Sequence, residues 1–417
     1  MRLVKAGALQ LVTYIVMLIA LLLAAFIMVV HTYKKFGVDT QLQIEQIKSS
    51  QSTIHQFLEV QDISYDSIKV DNDFPEMGNT TFKRGNWGVF ETYYAVSRYH
   101  NKSFASMALV GAGNSRYEKT ALILKDHHMP LVVVGGTTIT GDVILPKRGV
   151  KTGHIGGVSY YKEQLIYGEE QVTPRVFPQI TNRVRQAIEI LGNPNVGQSV
   201  IPIDQLENGS YSFLKPMVYY QTDEALVLEN LSILGHVIIQ SNTEITVTQT
   251  AQLNDIILIA PVINIADHVS GNFQAIATKA IQVGKEVLLM YPSALVLRSE
   301  ASIRNADDLG HITIGEEADV KGVILVLGTQ LPKNYQPQLT ILPIASVTGM
   351  VYCEQNMELR GTVKGLVIAD QFIIKEAGAV YMNHLFNAVV DRPALADEFL
   401  GIEIDDEHEK GIAKWLY

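Results

Sequence analysis

The most continuous apolar segment of the chain lies at its N-terminus. Residues 6–30 contain no Asp, Glu, Lys or Arg. As a helix rising about 1.5 Å per residue, this segment is roughly 37 Å long, which is enough to cross a bilayer. A cleaved signal peptide has an apolar core of only about 7–15 residues, followed by a small-residue cleavage site. Here the apolar run extends to Val30, so we predict a retained transmembrane anchor over 1–35.

The next stretch changes from uniformly apolar to mixed. Residues 38–62 contain neither Pro nor Gly, and apolar residues such as Leu42, Ile47 and Ile54 recur at partly helical spacing. We predict a helical stalk over 36–62. The alternative is an amphipathic connector with no role beyond spacing.

After the predicted stalk, β-branched and aromatic residues replace the helical period, and we predict a β-rich portion over 63–178. The clearest exception is 180–191, where Val184 and Ile188 are four residues apart and a Gly-Asn-Pro-Asn stop follows. We interpret 179–225 as a helical linker between two β-rich portions.

Apolar positions repeat at an 18-residue step from about residue 227 onward. The three series are Val227, Ile245, Ile263 and Ile281; Ile233, Ala251, Val269 and Val287; and Ile239, Ile257 and Ala275. All are odd-numbered, so within a unit they face one side of alternating strands. So short a period suits one coil of a parallel β-solenoid, whose stacked coils bury a shared interior. We predict this solenoid over 226–393.

A loose motif, apolar-x-Gly-x-apolar, supports the same interpretation, because Gly permits a tight corner between two short strands. Its copies centre on Gly141, Gly235, Gly271, Gly322, Gly349 and Gly365. The copies at Gly235 and Gly271 are two 18-residue steps apart. The copy at Gly141 predicts that the solenoid starts before the helical segment, which then interrupts it.

The C-terminal segment, 394–417, is predicted to cap the open end of the solenoid, with Trp415 and Leu416 covering its interior. The predicted fold class is therefore mostly β. It comprises an N-terminal transmembrane helix and helical stalk followed by a parallel β-solenoid (β-helix-like) domain with a helical insertion.

Charge limits the partners and suggests an orientation. The formal net charge is −10 and there is no basic run, whereas nucleic acids and anionic lipid surfaces require clustered Lys and Arg. We expect no nucleic-acid partner, and we assign membrane contact to residues 6–30.

Arg2 and Lys5 precede the apolar segment and Lys34 and Lys35 follow it. The N-terminus favours an N-in orientation, which predicts a single-pass protein of the bacterial inner membrane with a periplasmic main domain.

Candidate acids and histidines do not form a recurring constellation. The acids considered are Asp255, Asp267, Asp307 and Asp308. None recurs at an equivalent coil position, so solvated surface acids are favoured over a pair that cleaves a polysaccharide. His127 and His128 are adjacent, and adjacent strand residues point to opposite faces and rarely share one metal ion.

The remaining motifs also favour structural roles. The acidic run 405–409 lacks the spaced ligands of a calcium loop. The Gly111–Gly113 cluster has Glu118 where a P-loop needs its second Gly, and Gly135–Gly136 has no Lys-Ser/Thr nearby. Cys353 has no second cysteine to pair with and no obvious His partner. We predict no catalytic residue, no cofactor and no metal.

Residues 137–168, from Thr137-Thr138-Ile139-Thr140-Gly141-Asp142 onward, resemble a segment of uncharacterised single-pass membrane proteins of Bacteroidetes. The similarity extends to the C-terminal Lys414-Trp415-Leu416. These proteins have no known activity that the resemblance would assign to this chain.

The N-terminus resembles that of prepilins. It has a short basic leader ending in Lys5-Ala6-Gly7, a membrane helix starting at Ala8, and a helical stalk. The resemblance implies processing between Gly7 and Ala8 by a prepilin peptidase. The usual glutamate at the fifth mature position is replaced by Val12, as in tip-located minor pseudopilins of type II secretion and type IV pilus systems.

These observations predict a non-enzymatic structural or interaction protein of the envelope, a minor pseudopilin-like component of a secretion or pilus assembly with protein partners there. One alternative is a polysaccharide-acting enzyme or carbohydrate-binding β-helix, which requires acids or aromatics to converge in one groove. Another is a bactofilin-like polymerising scaffold, which requires uncapped coil ends.

Overall fold

The computed structural model describes residues 7–60, 63–70, 78–113, 115–174, 176–191, 200–299, 305, 308–405 and 409–417. The described residues include two α-helices, α1 (Gly7–Leu58) and α2 (Asn182–Leu191), and two short 3₁₀ helices, Ser115–Tyr117 and Ile203–Gln205. The early strands are β1 (Ile68–Val70), β2 (Asn79–Trp87), β3 (Phe90–Tyr99), β4 (Lys102–Gly113), β5 (Thr120–Leu124), β6 (Leu131–Val134), β7 (Thr138–Thr140), β8 (Asp142–Leu145), β9 (Val150–Thr152), β10 (His154–Ile155), β11 (Val158–Ser159) and β12 (Glu170–Val172).

After α2 come β13 (Val200–Pro202), β14 (Gly209–Tyr211), β15 (Val218–Thr222), β16 (Leu226–Leu228), β17 (Ser232–Gly235), β18 (Val237–Ser241), β19 (Glu244–Val247), β20 (Gln252–Ile265), β21 (Ser270–Val283) and β22 (Leu288–Arg298). The last strands are β23 (His311–Ile314), β24 (Asp319–Leu327), β25 (Leu339–Ile341), β26 (Ser346–Leu359), β27 (Thr362–Glu376), β28 (Ala379–Met382), β29 (His384–Phe386), β30 (Val389–Asp391) and β31 (Glu409–Leu416). The fold is thus mostly β with one long N-terminal helix, as the sequence predicts.

The chain forms two compact units. Unit 1 consists of the described residues of Met1–Phe57, Ser64–Lys83 and Tyr94–Ser106, and unit 2 consists of those of Leu58–Ile63, Arg84–Tyr93 and Met107–Tyr417. In unit 1, α1 runs unbroken through the predicted boundary between anchor and stalk. It ends at Leu58, four residues before the predicted end of the stalk.

Unit 2 is built on parallel pairings between strands far apart in the chain. Ladder 1 joins β14, β17, β20, β21, β22, β24, β26, β27, β30 and β7. Ladder 2 joins β13, β15, β18, β20, β21, β22, β24, β26, β27, β5, β8 and β12. Ladder 3 joins β16, β19, β20, β21, β23, β25, β26 and β27. These strands belong to one closed sheet, so long strands such as β20 contribute to all three ladders.

The 18-residue step is confirmed for three residues of ladder 3. Ile245 pairs with Ile263, and Ile263 pairs with Ile281. All three side chains are fully buried in one apolar cluster inside the closed sheet, which we call the interior cluster. The assignment of Val227 to this series is wrong, because Leu226 pairs with Ile245 and Val227 is 55% exposed.

The second series is correct from Ala251 onward. Ala251, Val269 and Val287 each immediately precede a strand and are buried in the interior cluster. Ile233 does not belong to the series, because it pairs with Leu253, two residues after Ala251.

The third series fails because of a bulge. Ile239 and Ala275 both pair with Leu258 rather than Ile257, since the ladder shifts register at Asp255. Asp255 has a φ of 59°. One extra residue reverses the alternation of side chains, and therefore Ile257 faces the outer side of ladder 2.

The glycine motif occupies positions where the backbones of paired strands approach closely. The motif glycines with positive φ are Gly141, Gly235, Gly322, Gly349 and Gly365. Gly322 pairs with Gly349, and Gly349 pairs with Gly365. A Cβ on any of these three would clash with the carbonyl oxygen of the preceding layer, so the stack admits only Gly there.

The outer side of ladder 2 is apolar and covered, which corrects the predicted helical linker over 179–225. Within that range α2 spans only ten residues. Its Val184 and Ile188 are buried in one apolar cluster together with outward-facing residues of the ladder such as Ile257 and Ile368. The segment therefore helps to cover the sheet rather than merely separating two β-rich portions.

The order of the layers also differs from the prediction. Leu122 of β5 pairs with Val367 of β27, β8 pairs with β5, and β12 pairs with β8. Residues 120–172 therefore belong to the same closed sheet as the strands after α2, but they pair beyond β27 instead of preceding the first of those strands.

The predicted C-terminal cap over 394–417 is wrong for the same reason. The edge of β27 that it was expected to cover is paired with β5. The C-terminal strand β31 instead pairs antiparallel with β4, with Leu416 opposite Met107.

Candidate functional site

The N-terminal half of α1 has an uninterrupted exposed apolar surface. From Gly7 to Val38 every described residue is exposed, including Leu22, Phe26 and Met28. The helix is long and apolar enough to span a membrane. Such a surface is stable against lipid and costly against water.

The predicted processing residues lie at the exposed start of this helix. Gly7 and Ala8 are its first two residues, and no atom lies within 4 Å of the position that a Cβ on Gly7 would occupy. Val12, at the fifth position of the expected mature chain, is 56% exposed. The Gly7–Ala8 bond therefore lies in an exposed part of α1.

The distal half of α1 packs within unit 1. Ile54 is fully buried, and the ring of Phe57 stacks on that of Phe82 with centroids 3.8 Å apart. The hydroxyls of Ser50 and Ser106 form a buried hydrogen bond of 2.7 Å. These contacts hold the helix against the strands of its own unit.

An ion pair connects the middle of α1 to β4. Lys102 Nζ is 2.9 Å from Asp39 Oδ1. The hydrogen bond from Lys102 lowers the pKa of the Asp39 carboxyl. Both side chains are about 40% exposed, so the pair contributes little to stability.

Unit 2 contains a buried ionic cluster around the C-terminal strand. Lys410 Nζ is 2.9 Å from Glu91 Oε2 and 3.3 Å from Glu403 Oε1. Arg84 also pairs with Glu91, and Arg183 lies within 4 Å of both carboxylates. Burial lowers the pKa of Lys410 to about 8. Through these ion pairs, Lys410 of β31 is connected to Glu91 of β3 and to Glu403.

Unit 2 contains a groove of about 420 Å³. It is lined by Arg116, Tyr117, Glu118, Lys119, Thr120, Asp142, Ile144, Gln171, Val172, Pro174 and Pro178. The volume falls within the range of small-molecule sites, about 300–1,000 Å³. Its floor belongs to ladder 2, since Thr120 pairs with Asp142 and Ile144 pairs with Gln171.

Carboxylates around the groove are partly satisfied from within the protein. Asp142 Oδ1 accepts the backbone N–H of Glu169 at 2.9 Å. Asp405, just behind the groove, accepts the hydroxyl of Tyr117 at 3.0 Å and lies 3.7 Å from Arg116. Burial and the neighbouring Asp405 raise the pKa of Tyr117 to about 12, so this phenol stays protonated at neutral pH.

The two candidate histidines do not converge. His127 Nε2 is 2.8 Å from Asp370 Oδ2, and Lys125 Nζ is 2.5 Å from Asp370 Oδ1. Burial by itself raises the pKa of Asp370, but hydrogen bonds from His127 and Lys125 outweigh it and lower the pKa. His128 instead lies beside Asp126. Among the described residues, no group of three His, Cys, Asp or Glu is placed to hold a metal ion.

Other residues singled out in the sequence have structural contacts. Asp255 pairs with Lys414 at 2.6 Å, and Asp267 Oδ1 accepts the backbone N–H of Lys285. Cys353 is fully buried, and burial raises the pKa of its thiol. Asp307 and residues 406–408 of the acidic run lie outside the described residues.

The glycine clusters are likewise parts of sheets and turns. Gly111 and Gly113 lie in β4, paired with β31. Gly135 has a φ of 64°, and Gly136 donates its N–H to Asn387 Oδ1. Gly113 is followed closely by a 3₁₀ helix of three residues, Ser115–Tyr117, and Gly135–Gly136 by strand β7, so neither cluster leads into an α-helix, as a phosphate-binding loop does.

Sequence reasoning missed both the ionic cluster and the groove. Glu91 and Lys410 are 319 residues apart. The groove depends on the pairing of β8 with β12, which no local pattern indicates. A lone Lys119 or Asp142 in the sequence carries no signal of a shared site.

Comparisons with known proteins leave the chain without an assigned family. No protein-family model matches the sequence, and no curated protein matches it. No solved structure matches the fold.

Proposed function

We propose that this protein is a minor pseudopilin-like component of a bacterial secretion or pilus assembly, anchored by α1 in the inner membrane with its main domain in the periplasm. The observation that carries the proposal is the continuity of α1 from Gly7 to Leu58. One helix joins a membrane-length apolar half to a half that packs on strands of its own unit.

A simple tether does not need this arrangement. A flexible linker after residue 35 would anchor a domain equally well. A continuous helix held by Ile54 and Phe57 instead gives the membrane segment a defined direction relative to the strands of unit 1. That property suits a subunit that must present its helix to neighbours in an assembly, and it agrees with the prepilin-like sequence at Gly7 and Ala8.

We further infer that the three ladders are the faces of stacked coils, so that unit 2 is a parallel β-solenoid. The support is the layer-by-layer pairing of Ile245, Ile263 and Ile281 and of the corner glycines Gly349 and Gly365. A solenoid presents long flat faces, which are suited to contacts with partner proteins.

The polymerising-scaffold alternative has less support, because both outermost strands of ladder 2 carry features that discourage pairing with another chain. At one end Pro202 of β13 has no N–H to donate. At the other end Glu170 of β12 stands in register with Val143, an interior residue. Proline and inward-placed charge both protect sheet edges.

The first test compares two glycines of the same helix that have equally open surroundings. At both Gly7 and Gly37, no atom lies within 4 Å of the place that an added Cβ would take. The full-length protein is co-produced with a prepilin peptidase, extracted from membranes and measured by intact mass. We expect cleavage after Gly7 in the wild type and in Gly37→Leu, and an uncleaved chain in Gly7→Leu.

An uncleaved wild type, in cells that process a known prepilin, would refute the pseudopilin assignment and leave a plain anchor. Cleavage of Gly7→Leu at the same bond would refute the role of Gly7.

Orientation is tested with a single reactive thiol. Since Cys353 is the sole cysteine of the chain and is fully buried, the exposed position of Lys364 is suitable for Lys364→Cys. A membrane-impermeant maleimide should label this variant in intact spheroplasts and leave the wild type unlabelled. Labelling only after lysis would place the domain in the cytoplasm.

A further inference from the structure

The groove in unit 2 lies at a part of ladder 2 whose outer side is not covered by other segments of the chain. Along most of the ladder, outward residues such as Ile257 and Val323 are buried beneath the cover. At β8 and β12 the outward side chains of Ile144 and Gln171 line open space instead. The groove is therefore an accessible part of a sheet face that is covered along most of its length.

One wall of the groove carries two cationic side chains, Arg116 and Lys119, with the carboxylate of Glu118 between them in the chain. Arg116 is 55% exposed, lies 3.7 Å from Asp405, and has its guanidinium 5.5 Å from the centroid of the Tyr117 ring. Lys119 is exposed and makes no ion pair of 4 Å or less with the described residues. Guanidinium and ammonium groups in these positions provide donors for a carboxylate.

The floor offers hydrogen-bonding groups of another kind. Asp142 uses one oxygen for the N–H of Glu169, and a carboxylate has acceptor capacity for further donors. Thr120 and Gln171 flank it and contribute a hydroxyl and an amide. Acceptors of this type suit the hydroxyl groups of a ligand.

We propose that this groove binds a carboxylated oligosaccharide, with Lys119 and Arg116 at a sugar carboxylate and Asp142, Thr120 and Gln171 at ring hydroxyls. An acidic peptide matches the cations, but each of its residues has a single backbone N–H donor, whereas each sugar ring has several hydroxyls for Asp142, Thr120 and Gln171. A neutral sugar leaves Lys119 without a counter-charge. The site is independent of the anchoring role proposed for α1.

The test uses the full-length protein in detergent micelles and isothermal titration with trigalacturonate. Cellotriose serves as the neutral probe and triaspartate as the acidic peptide of comparable charge. Lys119→Gln removes the proposed contact. Lys364→Gln removes the same charge from an exposed position on β27 outside the groove.

We expect saturable binding of trigalacturonate, weakened about tenfold or more by Lys119→Gln and unchanged by Lys364→Gln, since only the first substitution removes a charged hydrogen-bond donor from the groove. Asp142→Asn should also weaken trigalacturonate binding, whereas it should not weaken binding of triaspartate. Absence of trigalacturonate binding to the wild type would overturn the proposal. Equal losses in the two lysine variants, or tighter binding of cellotriose or triaspartate, would also overturn it.

Discussion

The close approach of the paired residues Gly349 and Gly365 leads to a specific prediction about Gly365. Its φ is 148°, and a Cβ there would lie closer than 3.0 Å to the carbonyl oxygen of Gly349, a separation that real Cβ atoms essentially never show. Gly378, only thirteen residues later, also has a positive φ, of 78°, but nothing lies within 4 Å of its Cβ position. We predict that Gly365→Ala is markedly more destabilising than Gly378→Ala.

The magnitude follows from separating backbone strain from the clash. Alanine at a positive φ costs about 1–3 kcal/mol at either position. At Gly365 the oxygen of Gly349 belongs to a paired strand, so relief of the clash requires β27 to move away from β26. Overpacking of this kind adds about 1–3 kcal/mol. The difference in free energy of unfolding between the two variants should therefore be about 1–3 kcal/mol.

The assay is urea denaturation of the detergent-solubilised full-length chain, followed by tryptophan fluorescence. Trp87 and Trp415 both lie in unit 2, so the signal reports the unit that contains both glycines. We expect a lower denaturation midpoint for Gly365→Ala with an unchanged slope. If the two variants lost the same stability, the close approach of successive layers at this corner would be refuted.

Two further predictions concern packing and charge in unit 2. Ile263→Ala should cost about 2–5 kcal/mol, because it opens a cavity between Ile245 and Ile281, while the largely exposed Val227→Ala should stay within about 0.5 kcal/mol; similar urea midpoints for the two variants would contradict the assigned register. Because burial lowers the pKa of Lys410 to about 8 from 10.5, the unfolded chain binds more protons than the folded one between those values, and this group should make stability rise with pH across that window. The rise should be missing from urea midpoints of Lys410→Met measured from pH 7.5 to 10, and a parallel pH dependence of the two proteins would show that Lys410 titrates normally.

Much of the fold was predictable because its signals are local. The apolar residues of α1 are contiguous, and its length alone indicates a membrane-spanning helix. The step from Ile245 to Ile281 was readable because each layer of ladder 3 there contains the same number of residues. Corner glycines such as Gly349 were readable because few other residues tolerate their conformation.

The errors arose where the step is interrupted or where distant segments meet. The bulge at Asp255 reverses the alternation of side chains, and nothing in its immediate sequence distinguishes it from an ordinary strand residue. Whether a segment forms a β-hairpin or a helix depends mainly on residues that are close together in the chain. The pairing of Leu122 with Val367, however, depends on which edge remains available after the other layers have stacked.

The sequence by itself determined the apolar N-terminal helix, the predominance of strands and the spacing of three layers of the stack. Tertiary structure alone decided that residues 120–172 extend the C-terminal side of that stack and that β31 pairs with β4. It also brought Lys119 and Gln171 to one groove. The physical reason is that hydrophobic periodicity specifies which side of a strand is buried, whereas the identity of its neighbour depends on backbone hydrogen bonds that any strand can make.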